Sequence, residues 1–483
     1  MFMHRVGLQV TLCLVCFCLG LCCNEALATG MAVFNVKDYG ATGVRTDDAL
    51  PGIQKAIDTC AAAGGGTVYV PPGEYTSGQI MLRSHVRLHV EAGATIFASL
   101  KGTAYKKDQY AALIYGEDLE NITIEGRGTL DGQSEYEWRL DDLDDAYIRS
   151  NSLIMKALGK PLMRPFPKSY PTETVFPRMM LLIRCKDVRI SGLTFIHSRS
   201  WNIHPYACER LVIDGIYVHS SLKEGVWADG IDPDGCRDLR ISNSTIETGD
   251  DALVFYSSDA YGPAKICENI TVTNCRLSSA SSALKFVDGN LTAIRNVVVD
   301  NCIITGSNRG IAFMVFNKGY VSDVLISNVT IETTAFDWFW WGEADPIHFN
   351  IKRLSEIDTR RSKAQDPPIG AIRHVVLRNI IARGKGTSSI HGHPERPLED
   401  VTLDNVKIFM SADPQWPLQK AVEAMSVRWA KDLRLKDVEV VWDKPDSEKW
   451  QHALHLQDIK DLELIGFRGG TVKTGTPSCG SFR

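Results

Sequence analysis

The feature that most limits how this chain can fold is a short motif that keeps returning. A few alternating apolar residues lead into Asn, Asp or Gly, and another short apolar alternation follows. Copies are Val188-Arg189-Ile190-Ser191-Gly192, Leu211-Val212-Ile213-Asp214-Gly215 and Leu239-Arg240-Ile241-Ser242-Asn243. Others are Ile270-Thr271-Val272-Thr273-Asn274, Val297-Val298-Val299-Asp300-Asn301 and Val324-Leu325-Ile326-Ser327-Asn328. Later copies centre on Asn379, Asn405, Asp437 and Gly466, and an early one on Gly126. From Gly192 to Asn328 the steps are 23, 28, 31, 27 and 27 residues. Alternation at period two describes strands, and strands at this spacing without intervening helices describe a solenoid of stacked coils. The expected fold is all-β: a single-stranded right-handed parallel β-helix with two or three strands per coil. Inward side chains then stack about 4.8 Å from their equivalents. A propeller would need a longer, four-stranded period.

A solenoid must close its open ends. Near the start, Thr46-Asp47-Asp48 has the look of a helix N-cap with acids in the first turn. Ile53, Ala56, Ile57 and Cys60 follow at helical spacing, and Gly64-Gly65-Gly66 stops the run. A helix near residues 48–62 is therefore expected to cap the N-terminal end. Two insertions interrupt the repeat. Residues 133–178 hold Asp141, Asp142, Asp144 and Asp145 and then prolines. Residues 335–368 hold Phe336-Asp337-Trp338-Phe339-Trp340-Trp341, too much apolar surface to leave bare, so at least one ring is expected in a cleft. Cys185, Cys208, Cys236 and Cys267 each stand three residues before a motif, and Cys275 and Cys302 directly follow one. Equivalent positions stack, so buried free thiols are expected, although the spacing also permits a Cys275–Cys302 bridge.

Residues 1–28 read as an export signal: His4 and Arg5, an apolar stretch from Gly7 to Cys23, then Ala26-Leu27-Ala28. The location expected is periplasmic or extracellular, with 29–483 as a single β-helix domain. Lipid anchoring through Cys22 or Cys23 ranks second, because Leu21 is a poor fit before such a cysteine. The chain of 483 residues has net charge -5. That gives no field for nucleic acid or anionic membrane, and any acidic sugar must be held by local Arg or Lys. No further membrane span, cofactor or metal is expected, and the protein is expected to act as a monomer. His391-Gly392-His393 lacks an acidic or Cys partner at ligand spacing.

The densest chemistry lies between Trp227 and Asp251, where six aspartates fall within 25 residues: Trp227-Ala228-Asp229-Gly230-Ile231-Asp232-Pro233-Asp234-Gly235-Cys236, then Asp238, then Gly249-Asp250-Asp251. Crowded carboxylates raise one another's pKa, and a raised acid beside an ionised partner suits acid/base work at a glycosidic bond. Two Asp-Gly turns or a calcium loop are the bland alternatives. In a coil of this pitch Asp229 and Asp250 are expected on adjacent turns, with a bulge letting Asp251 project beside them. The column of equivalent positions is expected to run Asp229, Asp250, Ser282, Ala312.

These motifs resemble glycoside hydrolase family 28, the polygalacturonase type, within the pectin-lyase-like superfamily. Ala228-Asp229-Gly230-Ile231-Asp232 resembles the family's Asn-Thr-Asp-Gly-x-Asp, and Gly249-Asp250-Asp251 its Gly-Asp-Asp. Ser200-Trp201-Asn202-Ile203-His204-Pro205 resembles a segment of bacterial members, and Phe34 to Tyr75 the superfamily's N-terminal cap. The resemblance implies Asp250 as general acid and Asp229 and Asp251 as the residues that position and deprotonate water, with inversion. The inferred carboxylate spacing of about 5–6 Å by itself favours retention. Three departures stand out: Ser281-Ser282-Ala283 replaces Gly-His-Gly, Ala312-Phe313-Met314 replaces the uronate-gripping Arg-x-Lys, and Trp227 replaces the motif Asn. Lys285 or Arg309 could take over the carboxylate contact from a shifted position, or either could be a solvated strand-end charge. Trp227 would narrow the site toward exo action, or pack under the insertion. Asp232, Ser282, His204 and Trp340 complete the expected substrate-binding set. The expected function is hydrolysis of a pectin-related glycan, of galacturonan or rhamnogalacturonan type. A non-catalytic glycan binder and a polysaccharide lyase are the alternatives.

Overall fold

A computed structural model describes residues 32–106, 108–140, 159, 163–168, 176–287, 291–336, 342–357, 361–413 and 421–470. The export segment, Asp141 to Asp145 and Trp340 lie outside these residues.

The chain winds as the right-handed parallel β-helix expected, with three ladders of strands around one core. The motif strands form one ladder: Lys186–Ser191 pairs in parallel with Glu209–Asp214, and that with Arg237–Ser242. Each motif ends in a left-handed residue, with φ 53° at Asn243, 55° at Asn274 and Asn301, and 56° at Asn328. That is why the position accepts Asn, Asp or Gly and nothing β-branched. The Asn side chains also bond along the stack: Asn274 Nδ2 donates to Asn243 Oδ1 at 3.3 Å, and Asn405 Nδ2 to Asn379 Oδ1 at 2.9 Å. Inward residues stack likewise. Phe255, Phe286, Phe313 and Phe349 form a ladder with centroids 5.2, 4.3 and 4.3 Å apart. All seven cysteines among the described residues are free and buried, Cys275 and Cys302 included.

Helix α1, Leu50–Ala62, caps the N-terminal end and buries Ile53, Ala56, Ile57 and Cys60. It begins later than the sequence suggests. Its N-cap is Ala49, because Asp48 is drawn into a bridge with Thr76 and its side chain accepts from Leu50 N instead. The insertions also differ from expectation. Within 133–178, Tyr136–Leu140 and Met163–Pro167 pair as an antiparallel hairpin. The stretch 335–368 is not one insertion, because Asp345–Ile351 is a regular coil strand paired with Arg309–Val315. Loops on either side of it depart from the coil, and the second carries the short helix α2, Leu354–Ile357.

Candidate active site

The third ladder carries the aspartates on its outer face. It runs through Arg178–Ile183, Ile203–Tyr206, the bridge residue Ile231, Leu253–Phe255, Ser282–Phe286, Arg309–Val315 and Asp345–Ile351. Inward positions such as Ile231, Leu253 and Phe255 are apolar and buried, which fixes what the intervening residues face. Two columns follow from this register. One is Arg178, Trp201, Asp229, Asp251, Ser282, Arg309 and Asp345; the other is His204, Asp232, Val254, Lys285, Ala312 and His348. The expected column is therefore wrong by one residue. Asp229 is level with Asp251, not Asp250, and the column continues to Arg309, while Ala312 is level with Lys285. Coil steps along this face are 22, 31 and 27 residues, from Asp229 to Asp251, Ser282 and Arg309, so a constant period misplaces single residues.

Asp250 sits where the chain turns out of strand Thr245–Thr248. Gly249 makes the turn possible: a Cβ there would lie 2.5 Å from Gly225 Cα. The Asp250 carbonyl accepts from Thr248 Oγ1 at 2.8 Å and Ser279 Oγ at 2.6 Å. Its side chain accepts from Asp251 N at 3.0 Å and is partly exposed. Carboxylate oxygens of Asp229, Asp250 and Asp251 all lie within 4.8 Å of one another. The sequence thus named the right trio by the wrong register, and the bulge expected beside Asp250 is a turn.

The surroundings differ sharply from one carboxylate to the next. Asp251 is buried and held at both oxygens: Ser282 N donates to Oδ1 at 3.0 Å and Lys285 Nζ to Oδ2 at 2.8 Å. Asp229 is buried too. Burial, and then the charges of Asp250, Asp232 and Asp251, push it well above the usual carboxylate range, against Lys285. Asp232, fully buried, is also raised by burial, while its contact with Asp229 pulls the other way. No N–H or O–H donor among the described residues reaches either Asp232 oxygen. Two buried carboxyls in contact without donors are stable only with a proton between them.

The remaining expected site residues divide. Ser282 contributes its backbone N–H to Asp251, not its hydroxyl. Lys285 is no strand-end charge but the counter-ion of Asp251. Arg309 is enclosed, 4% exposed, with Nε 3.7 Å from Asp345 and Gly342 against its side chain. His204 is buried one rung from Asp232, edge-on to Trp201 at 4.6 Å, and burial pulls its pKa down to about 4. It is neutral and out of reach of a sugar. Trp227, 37% exposed, meets Phe166 of the hairpin at 6.1 Å and Phe176 at 6.3 Å, so it packs under the insertion and still presents a free edge. Asp234 is bonded to Ser258 N at 2.7 Å and ties down a loop. Sequence reasoning missed Arg178 and Tyr256, whose only signal was alignment with the aspartate column, which needs the register.

A parallel β-helix with three convergent carboxylates on one outer face defines a class of carbohydrate-active scaffold. The family model "Glycosyl hydrolases family 28" matches residues 170–427, more than half of the chain, and the chain belongs to that family. Residues 33–129 match "Rhamnogalacturonase A/epimerase, pectate lyase-like". A probable polygalacturonase of Vitis vinifera is 28% identical over 248 residues, 47% of this chain and 45% of that protein. An exopolygalacturonase of Platanus acerifolia is 24% identical over 248 residues, 50% of this chain and 56% of that protein. The chain spans about half the length of the curated relatives it matches. Among solved structures, a hyperthermoactive exopolygalacturonase from Thermotoga maritima superposes with TM-score 0.66 at 22% identity, covering 86% of this chain and 93% of that one, which shows the shared fold.

Proposed function

We propose that this protein hydrolyses a glycosidic bond in a pectin-related glycan, of galacturonan or rhamnogalacturonan type, by general acid/base catalysis with inversion. The observation that carries the reading is the trio Asp229, Asp250 and Asp251 within 4.8 Å, set in unequal surroundings. Asp250, partly exposed, delivers the proton to the leaving oxygen. Asp251, fixed by Ser282 N–H and Lys285, takes the proton of the attacking water. Asp229 shares a proton with Asp232 and orients that water. The closeness of the trio is measured between nearest oxygens and leaves room for a water held against two of them. Inversion rests on the family membership, and proton NMR of the first product anomer tests it.

Exo action is supported by the shape of the face. Beyond Lys285, Ala312, Met314 and Phe316 are buried under Leu354 and Ile357 of α2, which walls the groove on that side. The lyase alternative needs a free basic residue as proton acceptor, and Lys285 is committed to Asp251.

The test is Asp250→Asn with a panel of pectic polysaccharides and oligosaccharides. Loss of turnover by a factor of about 100 to 10,000, with folding and glycan binding retained, is expected. Unchanged activity would remove Asp250 from the mechanism, and no reducing-end release by wild type would leave the binding alternative. Export is proposed from the apolar stretch Gly7 to Cys23. N-terminal sequencing of the exported protein is expected to begin at Thr29, and a start at Cys22 or Cys23 would favour lipid anchoring.

A further inference from the structure

The uronate-gripping Arg-x-Lys is missing, yet three cations stand in the two columns around the aspartates: Arg178, Lys285 and Arg309. Lys285 is consumed by Asp251 at 2.8 Å, and Arg309 is closed in beside Asp345. Arg178 differs from both. It is partly exposed and forms no ion pair among the described residues. Its Nη1 donates to the Gln109 carbonyl at 3.0 Å, while its Nε is buried and finds no acceptor. Its guanidinium lies over the Trp201 ring, 5.0 Å from the centroid. Trp201 in turn stacks on Tyr256 at 5.3 Å and 19°. Trp201 and Tyr256 are both partly exposed.

Arg178 stands two rungs before Asp229 in the same column, about 10 Å away at the spacing of neighbouring strands. That is the reach of the sugar adjoining the one at the aspartates. The planar guanidinium, held flat by an indole, offers a fork that matches a carboxylate. The indole and phenol beside it offer apolar faces to a pyranose ring. Asp232 and His204 both feel the Arg178 charge, which places it at the site and not beyond it.

We propose that Arg178 binds the free carboxylate of a uronate unit on the amino-terminal side of the aspartates, with Trp201 and Tyr256 as the stacking face, and so sets specificity for unesterified acidic glycan. This rests on the hydrolase reading above and narrows its substrate.

The experiment is steady-state kinetics of wild type, Arg178→Gln and Arg178→Lys on a galacturonate trisaccharide and on its methyl ester. Arg178→Gln is expected to raise KM for the free acid about tenfold or more while changing kcat little, and to leave the ester within about twofold. Arg178→Lys, which keeps the charge and loses the fork, should fall between. If Arg178→Gln does not fold, the same selective rise in Arg178→Lys carries the test. Equal losses on acid and ester, or none on either, would overturn the inference and leave Arg178 as a tether for the Gln109 loop. Wild type that cleaves neither substrate would overturn the hydrolase reading on this glycan and the inference with it.

Discussion

Asp229 and Asp232 show how a buried acid pair couples function to stability. Both have folded-state pKa values raised by burial. Above the ordinary aspartate range, near 3.9, the unfolded chain has released protons that the native pair still holds. Stability therefore falls as pH rises through that window. Asp232→Asn supplies an amide that donates to Asp229 without a titrating proton. Thermal melts are expected to show the variant gaining on wild type as pH goes from about 4 to about 8, with activity reduced. A difference in melting temperature that does not move with pH would mean the pair shares no proton. The same scale explains why Lys285 escaped a clear assignment from sequence. Only the register that sets it beside Asp251 separates a buried counter-ion from a solvated lysine, and the two identities differ by several kcal/mol in what removal would cost.

Strands supply the stack that holds the site. Phe255, Phe286, Phe313 and Phe349 fill the interior directly beneath the outward residues of the third ladder. Phe313 lies between two ring neighbours at 4.3 Å each, so the space it leaves has little freedom to collapse. Phe313→Ala is expected to cost about 3–5 kcal/mol in denaturant unfolding, with lost activity because Lys285 lies on the adjacent strand. A cost under about 1 kcal/mol would show that the ladder packs loosely. Turn residues at this scale were legible from composition alone. A left-handed backbone excludes most side chains, so Asn243, Asn274 and Asn301 advertise the turns they make. The start of α1 was less legible, because Asp48 could cap a helix or join a strand bridge, and only the neighbouring coil decides.

Over the whole molecule, parallel stacking leaves two ends to close. Helix α1 closes the first. Near the second, Trp450 is fully buried against Trp442 at 4.9 Å, and Phe467 packs against the same core. Trp450→Ala is expected to destabilise by about 3–5 kcal/mol and to promote aggregation through the opened strand edge, read by light scattering during heating. Unchanged melting and scattering would mean that other residues carry the closure. Among the described residues no helix is long and apolar enough to cross a membrane. The repeat, its left-handed turns, the cap and the identity of the three aspartates were determined by the sequence itself, because each depends on periods and residue types that act locally. Which aspartate faces which, that Lys285 neutralises Asp251, that Arg309 is sealed and Arg178 is open, and that Asp345–Ile351 rejoins the coil were decided only in three dimensions. Loops of unequal length separate the rungs, and the contacts that fix the register join residues 22 to 34 positions apart.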